Sequence, residues 1–157
     1  MVISEAPNFG TYDVNPAWKI AIVRSVWYDE LTTRMSSDAR EALIASGIVS
    51  ENIVMIDAPG SWEIPLVCKH ALEAGADGCI AFGVIVQGAT HHARLVAEES
   101  AAACMQLQLD MDKPITFEVL FVNNVEDART RAIGAHAKGP LAARTILTSL
   151  ARVRDLH

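Results

Sequence analysis

The segment Gly83-Val84-Ile85-Val86-Gln87-Gly88-Ala89-Thr90-His91-His92 holds the residue types best suited to chemistry in this chain. An apolar run passes through a glycine into a hydroxyl and two imidazoles, which reads as a strand leading into a helix. Gly88 permits close backbone approach, Thr90 offers a hydroxyl, and the free N–H groups of the following turn point at any anion placed there. That is the form of a phosphate cradle. It is not a nucleotide P-loop, because Gly83 and Gly88 are not followed by Lys and Ser or Thr. By itself the pattern is weak, since most strand-glycine-helix turns bind nothing. His91 and His92 fall in the first helical turn, where the positive end of the helix dipole disfavours imidazolium. A neutral ring there can move protons, and a surface or capping histidine is the plainer alternative. A metal pair is poorly supported: adjacent helical side chains diverge by about 100°, and positions 94 to 96 are Arg, Leu and Val rather than ligands.

A second junction, Pro59-Gly60-Ser61-Trp62-Glu63-Ile64-Pro65, has the same form. Glu63 could accept hydrogen bonds from a polyhydroxylated ligand, or simply complement the dipole of the helix it opens. Trp27 follows one strand-like run and Phe117 lies in another. Either ring could stack on a planar heterocycle, although core packing is the commoner use of such positions.

These residues need elements to hold them. Residues 19–25 (KIAIVRS) and 52–57 (NIVMID) read as strands, 78–86 (GCIAFGVIV) as a central strand buried on both faces, and 115–122 as the last strand. Helical periodicity fills the gaps, over 27–46, 62–74 with Pro65 in its first turn, 90–109, 126–137 and 139–153. Strict alternation predicts right-handed crossovers and an α/β fold, a three-layer α/β/α sandwich around a four-stranded parallel sheet, flavodoxin-like in type. In an open sheet of this kind ligands bind beyond the carboxyl ends of the strands, where both junctions lie. The 157 residues are expected to form a single domain, with residues 1–17 as an N-terminal arm that either frays or docks on a neighbour.

Composition narrows the function class. No apolar run approaches the roughly 20 residues of a spanning helix, so no membrane role is expected. The first ten residues lack a basic head and a long apolar stretch, so a cytoplasmic protein is expected. A net charge of −6 without a basic cluster gives no footprint for nucleic acid. Cys68, Cys79 and Cys104 are an odd number and widely spaced in sequence, which suggests small buried hydrophobes rather than a disulfide or zinc site.

The two junctions resemble the motifs P-G-[AS]-[aromatic]-E-[IL]-P and G-x-V-I-[RK]-G-x-T-x-H of the lumazine synthase family, in the same order and at the same separation. Residues 19–27 resemble that family's first strand ending in an aromatic. Residues 114–120 resemble its P-V-x-F-G-V-L strand, and Lys138-Gly139 the K-G that opens its last helix. The resemblance implies condensation of 5-amino-6-(D-ribitylamino)uracil with 3,4-dihydroxy-2-butanone 4-phosphate to 6,7-dimethyl-8-ribityllumazine, with no metal or organic cofactor. It also implies a homo-oligomer, a pentamer or a multiple of pentamers. Carried over by position, Trp27 would stack on the pyrimidine, Ser61, Trp62 and Glu63 would hold the ribityl chain, and Val84, Ile85 and Val86 would meet the uracil edge through backbone. The Trp62 ring itself is expected to face the core. Ala89, Thr90 and Arg131 would bind phosphate, with Arg131 counted beside His92, the general acid/base, as catalytic. Phe117 and Lys138 would come from the adjacent subunit. The sequence departs from the family pattern at Gln87, Ala93, Arg94, Glu118, Phe121 and Leu141, and the interval from Arg131 to Lys138 is one residue shorter than in many members.

Overall fold

In the computed structural model, which describes residues 7–157, the apolar run Gly78–Val86 is strand β3 and is covered on both faces. The other strands are β1 (Ile20–Ser25), β2 (Ile53–Ala58) and β4 (Ile115–Val122). All pair in parallel, in the order β2-β1-β3-β4. The helices are α1 (Asp29–Ala45), α2 (Ile64–Glu73), α3 (His92–Met111), α4 (Val125–Ala132) and α5 (Lys138–Asp155). Side chains that alternate along the strands feed two separate cores. Ile20, Ile22, Ile80, Phe82 and Leu120 pack under α1, α4 and α5, whereas Ala21, Val23, Cys79, Ala81 and Val119 pack under α2 and α3. This is the three-layer α/β/α sandwich with a flavodoxin-like strand order.

Local signals set the helix ends. Acidic Asp29 and Glu30 open α1 against its positive dipole end, and Gly47, with φ of 106°, supplies the left-handed residue just past its last turn. The Asn124 side chain accepts a 2.9 Å hydrogen bond from the Asp127 N–H and so caps α4. Most helix ends differ from expectation by one or two residues, and two of the differences have a visible local cause. The helix predicted from Thr90 starts at His92, because the Thr90 hydroxyl accepts from the His92 N–H (3.4 Å) and His91 becomes the residue that flanks the helix. The helix predicted to reach 137 stops at Ala132, where Ile133 turns to extended backbone ahead of Gly134.

The expected arm is described from residue 7; its first six residues lie outside the described residues. Residues 9–14 lie along the chain's own α5. Arg152 and Arg154 donate to the carbonyls of Phe9 (3.4 Å) and Asp13 (3.2 Å), and the Arg144 guanidinium sits 5.7 Å from the Phe9 ring centroid. Tyr12 and Val14 add partly buried packing. The three cysteines are buried, as expected, and the fold brings them together from α2, β3 and α3. Hydrogen bonding among the thiols, first with Cys104 and then with Cys79, together with burial, pushes the Cys68 thiol well above the usual range, so it stays protonated.

Gly139 fixes how α5 meets α1: a β-carbon there would lie 2.5 Å from the Met35 carbonyl oxygen and 2.8 Å from Asp38 Cβ. Backbone cannot yield as a flexible side chain can. Gly139→Ala is therefore expected to destabilise the fold by about 1–3 kcal/mol, read as a lower midpoint in urea, even though alanine is the better helix former.

Candidate active site

The chain direction reverses between β1 and β3. Helix α1 leaves β1 toward one face on its way to β2, and α2 and α3 cover the other face, so the turns that follow these strands diverge and leave a crevice at their carboxyl ends. A cavity of about 330 Å³ opens there. Trp27 and Tyr28 of the β1–α1 turn form one wall, and Gly60, Ser61, Trp62 and Glu63 after β2 form the next. The end of β3 (Val84, Ile85, Val86) supplies the floor, and His92, Ala93 and Val96 of α3 close the remaining side.

Each wall has a local cause. Val26 N–H donates to the Ala58 carbonyl (3.1 Å) and Trp27 N–H to the buried Ser25 hydroxyl (3.2 Å), which turns the chain sharply after β1. The Trp27 indole is left 67% exposed. A methyl built on Gly60 would lie 3.0 Å from Glu63 Oε2 and 3.5 Å from Trp27 Nε1, so carboxylate and indole converge over that glycine. Ser61 reaches β3 only because Gly83 has no side chain: a β-carbon at Gly83 would stand 2.6 Å from Ser61 Oγ. Residues 61–63 form a 3₁₀ turn, in which positions three apart eclipse, so Ser61 and Ile64 point inward together. Trp62 is consequently turned out, 55% exposed, against the expectation that its ring faces the core. Trp18 does pack in the core, with the Arg154 guanidinium 5.4 Å from its ring.

The phosphate-cradle segment is held by Gln87, whose side-chain amide donates to the carbonyls of Gly88 (3.0 Å) and Thr90 (3.2 Å). Ala89 and Thr90 are exposed beside the cavity's α3 wall rather than part of its lining. Arg131 lies in the last turn of α4, its Nη1 donating to the Asp127 carbonyl (2.7 Å). Phe117 packs from β4 on the core under α2 and α3, and Lys138 opens α5. Neither Phe117, Lys138 nor Arg131 lines this cavity within the single chain. Sequence reasoning passed over Tyr28, Gly60, Ala93 and Val96. Tyr28 adopts a left-handed backbone (φ 55°, ψ 49°) that nothing in its residue type announces. Val96 could have been found from helical spacing, four residues beyond His92, whereas Ala93, one residue beyond it, could not.

The profile of the family described as 6,7-dimethyl-8-ribityllumazine synthase matches residues 17–154. A relative so named from Levilactobacillus brevis is 38% identical over 140 residues, covering 88% of this chain and 89% of the relative. One from Xanthomonas oryzae is 37% identical over 122 residues (77% and 79%), and one from Bdellovibrio bacteriovorus 35% over 139 residues (88% and 76%). The chain belongs to the 6,7-dimethyl-8-ribityllumazine synthase family. Its two lumazine synthase motifs supply three of the cavity's sides: the first gives Gly60 to Glu63, the second gives the β3 floor and His92.

One departure from the lumazine synthase pattern carries a charge into the fold. Glu118, where the family motif has glycine, projects from β4 under α5 and lies 3.7 Å from the Lys138 ammonium. Burial raises its pKa above the usual glutamate range, and the nearby lysine only partly opposes this. The folded chain therefore holds this proton more tightly than the unfolded one. The associated stability is fully present below the ordinary glutamate pKa and is lost as pH rises through the raised folded value. Glu118→Gln is thus expected to raise the melting temperature at pH 7.5, with the advantage fading toward pH 4. An unchanged difference between the two proteins across that range would contradict the assignment.

Proposed function

We propose that this chain condenses 5-amino-6-(D-ribitylamino)uracil with 3,4-dihydroxy-2-butanone 4-phosphate, releasing 6,7-dimethyl-8-ribityllumazine, phosphate and water, the penultimate step of riboflavin biosynthesis. It acts as a transferase, one domain per chain, in the cytoplasm; three free thiols suit a reducing compartment. The observation that carries the reading is the convergence, in one crevice, of an open indole, a carboxylate beside a buried hydroxyl, and an imidazole at a helix start.

In this reading Trp27 stacks on the pyrimidine, Ser61, Trp62 and Glu63 hold the ribityl chain, and the backbone of Val84, Ile85 and Val86 meets the uracil edge. Ala89, Thr90 and Arg131 take the phosphate. Gly88 supports that role, because its φ is not left-handed and a β-carbon there would meet nothing within 4 Å. The chain alone gives no reason for glycine at this position, whereas a phosphate approaching the backbone does. His92 moves protons during imine formation, phosphate loss and ring closure. Amine and ketone are mutually reactive, so most of the acceleration comes from holding them together. No organic cofactor or metal takes part.

The site is completed by a second copy of the chain. Of the twenty residues of α3 only Ser100 and Cys104 are buried, while Leu95, Met105 and Leu109 form an outward apolar stripe at helical spacing, the last 67% exposed. Edge strands β2 and β4 also expose Val54, Met55 and Phe121. A homopentamer, or pairs or shells of pentamers, covers these surfaces, and Phe117 and Lys138 then reach the neighbour's cavity. The protein makes no nucleic-acid or membrane contact in this role, and no helix among the described residues is long and apolar enough to cross a membrane.

Purified protein given both substrates should generate the lumazine absorbance. His92→Ala should slow turnover by about ten- to a thousandfold, with His91→Ala much milder; equal effects would show that the wrong imidazole, or a merely structural pair, has been assigned. Light scattering at micromolar concentration should report an assembly of at least five chains, and a monomer would overturn the shared site.

A further inference from the structure

We propose that Arg24 is a positioning residue for the pyrimidine subsite: its guanidinium ties the turn that carries Trp27 to the end of β2 and so holds the indole over the cavity. The proposal rests on the reading of Trp27 as the stacking platform.

Arg24 lies near the end of β1, its side chain only 16% exposed although it carries a full charge. Two carboxylates and a hydroxyl account for that burial. Its Nε and Nη2 form a fork on Asp57 of β2, at 2.9 and 3.2 Å, and its Nη1 donates to Asp29 at 2.6 Å and to the buried Thr32 hydroxyl at 3.3 Å. Asp57 and Arg24 sit in register across the β1–β2 pair. Asp29 is the first residue of α1, two positions beyond Trp27, and Asp57 is three positions before Gly60, over which Trp27 and Glu63 converge. One guanidinium therefore links the start of α1 to the end of β2, the elements that adjoin the Trp27 turn and the Gly60 turn.

The turn needs such a link. Tyr28 is held in the left-handed region at φ 55°, an uncommon backbone for an aromatic residue, and it stands between the exposed Trp27 and α1. Its carbonyl accepts from the Leu31 and Thr32 N–H groups, so its conformation is set by how α1 starts. The Asp29 carboxylate is drawn to Arg24 strongly enough to lie below the usual aspartate range. Without Arg24, Asp29 and Asp57 are two like charges at the mouth of one turn, and the first turn of α1 is free to rotate Tyr28 toward ordinary backbone. Trp27 would then leave its place over Gly60 while His92 and the Gln87–Thr90 segment stay where they are. The effect falls on one substrate only.

Initial rates with each substrate varied in turn, for Arg24→Met, Trp27→Ala and the double variant, test this. Arg24→Met should raise KM for the ribitylamino-uracil about fivefold or more, leave KM for the butanone phosphate within about twofold, and add little to Trp27→Ala. Arg24→Lys, whose single ammonium cannot form the fork, should fall between parent and methionine variant. If Arg24→Met fails to fold, Arg24→Lys and Asp57→Asn carry the same comparison. Additive losses in the double variant, or a fall in kcat with both KM values unchanged, would reduce Arg24 to a structural residue and overturn the proposal while leaving the reaction intact. A parent protein that makes no lumazine overturns the reaction itself, and the positioning role with it.

Discussion

The covering of β3 on both faces is the constraint from which the rest of the structure follows. A strand whose alternate side chains enter two different cores needs helices on either side, and helices on both sides of a parallel sheet require crossovers that all turn at the same edge. The strand-to-helix turns therefore gather at one end of the molecule. Because α1 goes to one face and α2 and α3 to the other, those turns part between β1 and β3, and the crevice is the gap they leave. The crevice is thus a by-product of how the core is covered, lined by two turns, the end of β3 and the start of α3.

Close approach at two glycines converts this layout into a defined shape. Gly83 lets the Ser61 hydroxyl rest directly on β3, and Gly60 lets the Trp27 indole and the Glu63 carboxylate converge. The 3₁₀ turn between them decides which side chains face inward, sending Ser61 and Ile64 to the core and Trp62 to the crevice. Polar links then brace this end of the sheet: Gln87 turns its amide onto the segment before α3, and Arg24 joins the start of α1 to the end of β2. These are short-range polar interactions at the carboxyl ends of the strands, close to the cavity.

The outer surface of α3 and the two sheet edges extend this logic beyond the single chain. Helix α3 fully buries only Ser100 and Cys104, with Ala93, Val96, Ala97, Leu107 and Met111 partly buried on the core, and the apolar residues on its far side gain nothing until another surface covers them. In the proposed assembly, other copies of the chain supply that surface. That proposed assembly also gives a place in the site to Phe117 and Lys138, which stand away from the cavity of their own chain.

Much was legible in the sequence. The order of elements, the doubly buried β3 and the two junction motifs follow from hydrophobic period and turn residues, because these signals are local and repeat within a few positions, whereas the expectation that Trp27, Ser61, Glu63 and His92 share one site comes from the family likeness. Helix ends were less legible. Whether Thr90 sits inside α3 or caps it depends on one hydroxyl contact, and whether α4 continues past Ala132 depends on the backbone of Ile133. Only tertiary structure decided that Trp62 turns outward, that Tyr28 is left-handed, that three cysteines distant in sequence share one pocket of core, and that Arg24 meets Asp57 thirty-three residues away. The first two are backbone conformations of single turns that residue type does not announce, and the last two are set by which strands lie side by side, a property of the whole chain that no local window contains.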